Sequence, residues 1–559
     1  MYLLQFCPQI KHMKKIVGLL SLCIIVYSSE AQSNKQLAQL ATLGKVWGFL
    51  KYYHPAAAKG KPDWDRELVR MVALVEQAPN AKEFDTLLEA WFRSLPAARI
   101  TATPVNYYAD SLTRIFTEKD IQQFNVSKWL QTELLRLYQY HLPDTSRYVT
   151  RYYNKHYFDH IIHTEDAHEA PAYPDRPMRL LALFRYWNTI TYFYPHKERI
   201  RNWDDVLPRY ITPFLQAKDS VQYRSAIRAL IHELPDSHSF IQEPGKTYYF
   251  TPFRIDYIDG KYLIGACDDS TAKKWDYRIG DEITGINGQS TRAREKQLLA
   301  TTTGTNELSL HRNIAQELLK VGDSVIQVTF RRNSQLITRT VELHSWEVYR
   351  RIPKTPAKPL WQQLEKGIWY VRFCRITNAD TLRRLFRDIQ QARAVIWEMR
   401  DYPNYQVTAA LDKFYFTAKT QFTEETNAWD LYPGTFIKSP LYFEPVAKEE
   451  LIYQGPLIIL IDEHTQSLSE SVTAALKLRP NTITMGRQTA GTTGNITWFT
   501  MPGGVEVSYT GVGVRGLQEG FRQGEGVKLD IPITLTQERL LQSKDYILEQ
   551  AIAYAKSLK

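Results

Sequence analysis

Apolar positions recur at helical spacing through the first third of the chain. Ile227, Leu230, Ile231 and Leu234 fall at i, i+3, i+4 and i+7, which predicts an amphipathic helix ending at the Leu234-Pro235 pair. The same third repeats itself. One copy reads VWGFLKYYHPAAAKGKPDWDRELVRMVALV and then FDTLLEAWFRSLP; the other reads YWNTITYFYPHKERIRNWDDVLPRYITPFL and then YRSAIRALIHELP. Trp47, Pro55, Trp64 and Leu95-Pro96 keep register with Trp187, Pro195, Trp203 and Leu234-Pro235 across a single one-residue shift. Four landmarks in register predict a duplicated helical unit. The copies then diverge: AARITATP follows the first Leu-Pro and DSHSFI follows the second. Asp236-Ser237-His238 is thus an addition that the shared scaffold does not require.

Beyond about residue 246 the pattern shortens to β-rich runs, YYFTPFRIDYI, KYLIGAC, DSVIQVTFRR and LITRTVEL, with one helical stretch, HRNIAQELLK. From about 350 strands and helices alternate. KGIWYVRFCRI, AVIWEMR, GPLIILID and ITMGRQTAG read as strands. ADTLRRLFRDIQQA, VTAALDKFYF, SLSESVTAALKL and the final KDYILEQAIAYAKSLK read as helices. The expected organisation is a multidomain α+β chain. Residues 34–170 form a helical domain with the first repeat copy, 171–245 the second copy with the Asp-Ser-His segment, 246–345 a small β domain and 350–555 an α/β domain.

A length of 559 residues exceeds one core, and 44% hydrophobic with 13% aromatic residues excludes a disordered chain. The net charge of +10 is scattered rather than massed in a stripe, which argues for solubility or a loose attraction to an anionic envelope and against nucleic-acid binding. The stretch MKKIVGLLSLCIIVYSSEAQS has two lysines, an apolar run and a small-x-small site. It reads as a secretory signal over residues 1–31, cleaved after Ala31, with the true start at Met13. The expected location is the periplasm or the cell surface. The apolar run is too short to span a membrane, and Leu22 is large where a lipoprotein box takes a small residue, which argues against a lipid anchor. Only Cys267 and Cys374 lie outside the leader, so two buried free thiols are expected rather than a disulfide framework. No HExxH or CxxC pattern occurs, and neither a metal site nor a cofactor is expected.

One segment has the form of a nucleophile elbow. In LIILIDEHTQSLSESVTAAL a buried strand ends near Asp462 and a helix begins near Ser467. A serine there would sit beside free helix-terminal amides that can hold an oxyanion. The same Ser467-x-x-Glu470 is also a capping box, so capping alone is an alternative reading.

The order of motifs resembles the tail-specific, or C-terminal processing, serine peptidases. Gly280-Asp281-Glu282-Ile283 with Ile286-Asn287-Gly288 is similar to the strand-and-turn signature of PDZ domains. Ser467-Leu468-Ser469-Glu470, the turn Gly486 to Gly491, Met501-Pro502-Gly503-Gly504 and Gly526-Val527-Lys528-Leu529-Asp530 match the family's later motifs in order. The resemblance implies a PDZ-like β domain ahead of a crotonase-like α/β catalytic core of the ββα type. Bacterial members carry a lysine base just after the glycine turn; here Thr492 stands there, and no lysine lies between Lys477 and Lys528. The branch that resembles the tricorn core protease instead takes a histidine from an Asp-x-His segment, matched by Asp236-Ser237-His238. By that resemblance Ser467 is the nucleophile, His238 the base and Ser237 an orienting or relay residue. A third member falls at Gln523, or at Glu525 two residues on. The Leu468 amide is one oxyanion donor. The family's second oxyanion strand departs here to EMRDYPNY, where Asn404-Tyr405 replace glycines and the Asn404 amide is the candidate donor.

The function implied is an exported serine endopeptidase that cuts unstructured or C-terminal protein segments, which it binds partly through the PDZ-like domain. The alternative is a catalytically inactive or altered member that binds a peptide or an apolar ligand.

Overall fold

A computed structural model describes residues 34–558 apart from short stretches, of which the longest are 346–358 and 444–451. The expected leader lies outside the described residues. At the centre of the C-terminal half is a six-stranded sheet, ordered Trp361–Glu365, Ile368–Val371, Ala394–Glu398, Leu457–Ile461, Thr482–Gly486, Ile531–Pro532, with every pairing after the first parallel. Every residue of Ala394–Glu398 and of Leu457–Ile461 is buried, as expected of a parallel sheet covered on both faces. Side chains alternate between the two covers. Val395, Trp397, Leu457 and Ile459 pack on Leu382, Leu385, Phe386 and Val472, from the helices Ala379–Ile389 and Leu468–Leu476. Ala394, Ile396, Ile458 and Leu460 pack on Ile547, Leu548 and Ala551 of the closing helix Tyr546–Ser557.

The region 246–345 forms a second sheet, from Phe253–Ile258 to Gln335–Glu342, with the helix Glu307–Leu318 against its core. The first third is mainly helical. The Trp47 and Trp64 indole N–H groups each donate to the other's carbonyl at 3.0 Å. In the second copy Trp187 donates to the Trp203 carbonyl at 3.1 Å, and their rings stack. The two long helices, 34–53 and Arg176–Phe193, cross where Gly44 and Gly48 leave room for Phe184 and Asn188. At their centre is a fully enclosed charge cluster. Lys51 pairs with Glu165, and Arg185 pairs with both Glu165 and Asp65.

The helical region is not a separate lobe. Its apolar core runs on into Phe436, Phe499, Val505, Val507 and Tyr509 of the C-terminal half. Those residues belong to strands that the hydrophobic pattern leaves unread. Thr420–Ala428 and Thr435–Phe443 form a long hairpin; Ile496–Met501, Val505–Thr510 and Ile241–Gln242 form a three-stranded sheet. The last of these ties the segment after His238 to the C-terminal half. VTAALDKFYF is not one helix: it gives a single turn, Tyr405–Thr408, and a 3-10 turn, Leu411–Phe414. Its aromatics pack instead as individual plugs, with Phe414 stacked on Phe386. Cys267 and Cys374 are both free and half-buried rather than buried; the Cys374 thiol donates to the Asp401 carbonyl.

Candidate active site

The strand Leu457–Ile461 delivers the chain into a tight turn, and the helix Leu468–Leu476 leaves it. Between them Ser467 has φ 58° and ψ −119°, a left-handed conformation rare for a residue with a side chain. The surroundings hold it there. The Ser467 N–H donates to the Thr492 carbonyl at 2.8 Å and to Glu470 Oε2 at 3.2 Å. Glu470 is fully buried and also accepts the Thr489 hydroxyl (2.6 Å) and the Gly491 and Thr492 N–H groups (2.7 and 3.0 Å). Burial pushes its carboxyl up to about 7, against the pull of those donors. The Ser467-x-x-Glu470 pattern therefore does more than cap a helix: it fastens the elbow to the 489–492 turn. The Leu468 N–H, first in the helix, has no hydrogen-bond partner among the described residues.

The segment after the second repeat copy reaches the same place. Asp236, Ser237 and His238 are all buried. The Ser237 N–H donates to Thr305 Oγ1 (2.7 Å) and at 3.4 Å to Thr492 Oγ1, the hydroxyl of the residue whose carbonyl holds Ser467. Ser467 and the histidine segment thus converge on one residue, Thr492, although no hydrogen bond joins Ser467 directly to His238 among the described contacts. The His238 N–H donates to Asp236 Oδ1 at 2.9 Å, and the ring Nδ1 lies 3.1 Å from Thr510 Oγ1. Burial lowers the imidazole to about 4, with Asp236 raising it and Arg312 lowering it further.

Several expected partners lie elsewhere. The Ser237 hydroxyl accepts from the Thr305 N–H (3.1 Å) and hydroxyl (3.0 Å) and so bonds the loop before the helix Glu307–Leu318, not the imidazole. Glu525 is exposed and paired with Arg522. Gln523 is buried; its Oε1 accepts the Thr493 N–H at 3.4 Å, and its Nε2 has no partner among the described residues. Thr493 in turn donates to the Ser467 carbonyl at 3.1 Å, so Gln523 stands on the serine side. Neither candidate third member bonds the histidine ring, because the strand end at Thr510 occupies that position. Asn404 caps the turn Tyr405–Thr408 through its side chain (3.2 Å to the Val407 N–H). Arg400 is spent on Glu398 and Asp545, tying the closing helix to the sheet.

Sequence reasoning passed over Thr510 and Arg312, and marked Thr492 only as the place of an absent lysine. Thr510 lies 272 residues from His238, and nothing in a strand threonine announces such a contact. Arg312, on Glu307–Leu318, is buried and donates to the Glu463 carbonyl at 2.7 Å and to Gln466 Oε1 at 2.5 Å. It grips the turn just ahead of Ser467. Among the described residues no group of three or more His, Cys, Asp or Glu is placed to hold a metal ion.

Residues 379–533, which contain the elbow, the 489–492 turn and Thr510, match the model of peptidase family S41. This segment is thus similar to that serine-peptidase family. The match leaves His238 outside it, in the preceding region. Two solved structures of mature CPAF, one complexed with lactacystin, share the fold of this chain. The complex is 13% identical and aligns over 68% of this chain and 97% of its own, with a TM-score of 0.52. The other is 12% identical, aligns over 68% and 96%, and has a TM-score of 0.50. No curated protein matches this chain.

Proposed function

We propose that the protein is an exported serine endopeptidase in which Ser467 attacks the peptide carbonyl and His238 is the base. The observation that carries this reading is the convergence on Thr492 of the strained elbow of Ser467 and the buried segment of His238. A serine hydroxyl is a poor nucleophile without a base. His238 Nε2 takes the Ser467 proton as Oγ bonds to the carbonyl carbon. The oxyanion forms at the N-terminus of the helix Leu468–Leu476, where the Leu468 amide is a donor. The imidazolium then gives its proton to the departing amine, and water, deprotonated by the same ring, releases the acyl group.

The neighbouring sheet with its helix Glu307–Leu318 is the PDZ-like element of this proposal, and it takes up a peptide end as an added strand. Substrates are protein segments without stable structure, met outside the cytoplasm. The test is covalent labelling by a fluorophosphonate. Labelling of the folded chain that disappears in Ser467→Ala and falls in His238→Ala, together with loss of peptide cleavage, is the expected result. A folded protein that neither labels nor cleaves is instead a binding member of the same fold.

A further inference from the structure

The bonds around Asp236 leave one consistent placement of protons. Asp236 is fully buried, so its carboxylate needs donors. It has three: the Thr510 N–H on Oδ2 (2.8 Å), and the His238 N–H and Thr510 hydroxyl on Oδ1 (both 2.9 Å). A hydroxyl has a single proton. With that proton on Asp236, Thr510 Oγ1 offers only a lone pair to His238 Nδ1 at 3.1 Å, so Nδ1 must carry hydrogen. Nε2 is then the bare nitrogen. We propose that Asp236 and Thr510 are positioning residues that fix His238 in the Nδ1–H tautomer, with the strand hydroxyl filling the place that a carboxylate usually takes beside a catalytic histidine. The proposal rests on the peptidase reading above, but its decisive readout does not.

The opposite tautomer has a definite cost. If Nε2 held the proton, Thr510 would turn its hydroxyl to Nδ1, and Asp236 would lose one of three donors inside a dry site. The geometry also explains why a second-copy loop supplies the base. Asp236 accepts both from its own segment and from the end of the strand Val505–Thr510, so one carboxylate aligns ring and strand together.

The experiment is nitrogen NMR on the full chain with labelled histidine, His238 being assigned by comparison with His238→Gln. The expected spectrum at neutral pH shows His238 protonated on Nδ1. In Asp236→Asn the amide donates to Thr510, the hydroxyl turns to Nδ1, and the proton moves to Nε2. Thr510→Val is expected to slow fluorophosphonate labelling of Ser467 by about 100-fold or more, whereas Thr510→Ser stays within about threefold. A wild-type His238 protonated on Nε2 overturns the proposal, whatever the activity. So does undiminished labelling of a folded Thr510→Val. Should that variant not fold, the wild-type spectrum alone still decides.

A separate observation concerns what lies beside the base. On the three-stranded sheet Ile496 pairs with Thr510, Trp498 pairs with Ser508, and Phe240 takes the Ser508 N–H on its carbonyl. Residues paired across strands, and those two apart along one strand, share a face. Phe240 and Trp498 therefore stand on the face that holds Thr510, one side-chain row away. Their rings meet edge to face at 4.9 Å, yet they stay 42% and 37% exposed. We infer that this aromatic corner receives one large apolar side chain of the peptide substrate, next to the bond that is cut. The row spacing of about 7 Å equals that between same-face side chains of an extended peptide.

Calorimetry on the inactive Ser467→Ala chain tests this without any turnover. Two peptides are compared that differ only in Phe or Ala at one position, moved stepwise along the sequence. At one position the Phe peptide should bind about 10-fold tighter, and Phe240→Ala with Trp498→Ala should erase the difference. Equal binding of Phe and Ala peptides at every position, or a preference that survives the double substitution, overturns the inference.

Discussion

Glu470 accepts the Thr492 N–H at 3.0 Å, and Thr492 accepts the Ser467 N–H, so one buried carboxylate holds both sides of the elbow. Glu470→Ala leaves three donors without an acceptor, the Thr489 hydroxyl and the Gly491 and Thr492 N–H groups, while the Ser467 N–H keeps the Thr492 carbonyl. It should destabilise the protein by about 3 kcal/mol and slow Ser467 labelling by at least about 10-fold. Thermal melting and fluorophosphonate kinetics measure the two effects separately. A fully stable variant that labels normally would show that the elbow is held by other means.

Arg312 reaches the Ser467 turn from the helix Glu307–Leu318 through neutral oxygens only. Replacing Arg312 by an apolar residue of similar length leaves the Glu463 carbonyl and Gln466 Oε1 without their donor. Arg312→Met should therefore destabilise the protein by about 1–3 kcal/mol. Ser467 labelling should also fall several-fold, because Glu463 and Gln466 lose their anchor. Unchanged labelling would mean that the turn is rigid without the helix.

The acid limb of activity should lie low. An ordinary histidine base would lose about 25-fold in neutral fraction between pH 7 and pH 5. His238, held down to about 4 by burial, keeps most of its neutral form at pH 5. The groups that bear on it are Asp236, which raises it, and Arg312, which lowers it. A profile of kcat/KM should thus change less than about twofold over this range. For stability the sign follows from the lowered value. The burial of neutral His238 contributes fully above the unfolded value of 6.5, and that contribution is lost as pH falls through about 4.

Glu165 balances two cations, Lys51 and Arg185, both fully enclosed. Glu165→Gln takes the carboxylate from Lys51 and leaves Arg185 with Asp65 alone, and should cost about 3–5 kcal/mol, read as a shifted urea midpoint. A midpoint within error of the wild type would show that Asp65 and the ring faces of Trp47 and Tyr148 around Lys51 suffice.

The central sheet and the elbow are legible because their residues follow local rules: continuous apolar strands, then a serine at a helix start. The histidine is legible only by comparing the repeat copies and noting the absent lysine at Thr492. Its partner is not. Thr510 lies on the strand VEVSYT, whose strict alternation reads Ser508 and Thr510 as a solvent face; instead Val505, Val507 and Tyr509 enter the helical core while Ser508 and Thr510 face the buried His238 segment. Both faces being covered, the polar side of the pattern no longer means outside. The resemblance points to Gln523 or Glu525 for the third member; the residue beside His238 Nδ1 is Thr510, which no motif marks.

The site's parts enter the chain at 238, 467 and 510, and the apolar core that joins them draws on both ends of that interval. A polypeptide made from its N-terminus holds the base long before the serine exists, and the serine before the strand that aligns the base. No growing chain is armed until about nine-tenths of its length has been synthesised, so under the proposed chemistry the order of translation itself delays the first cut.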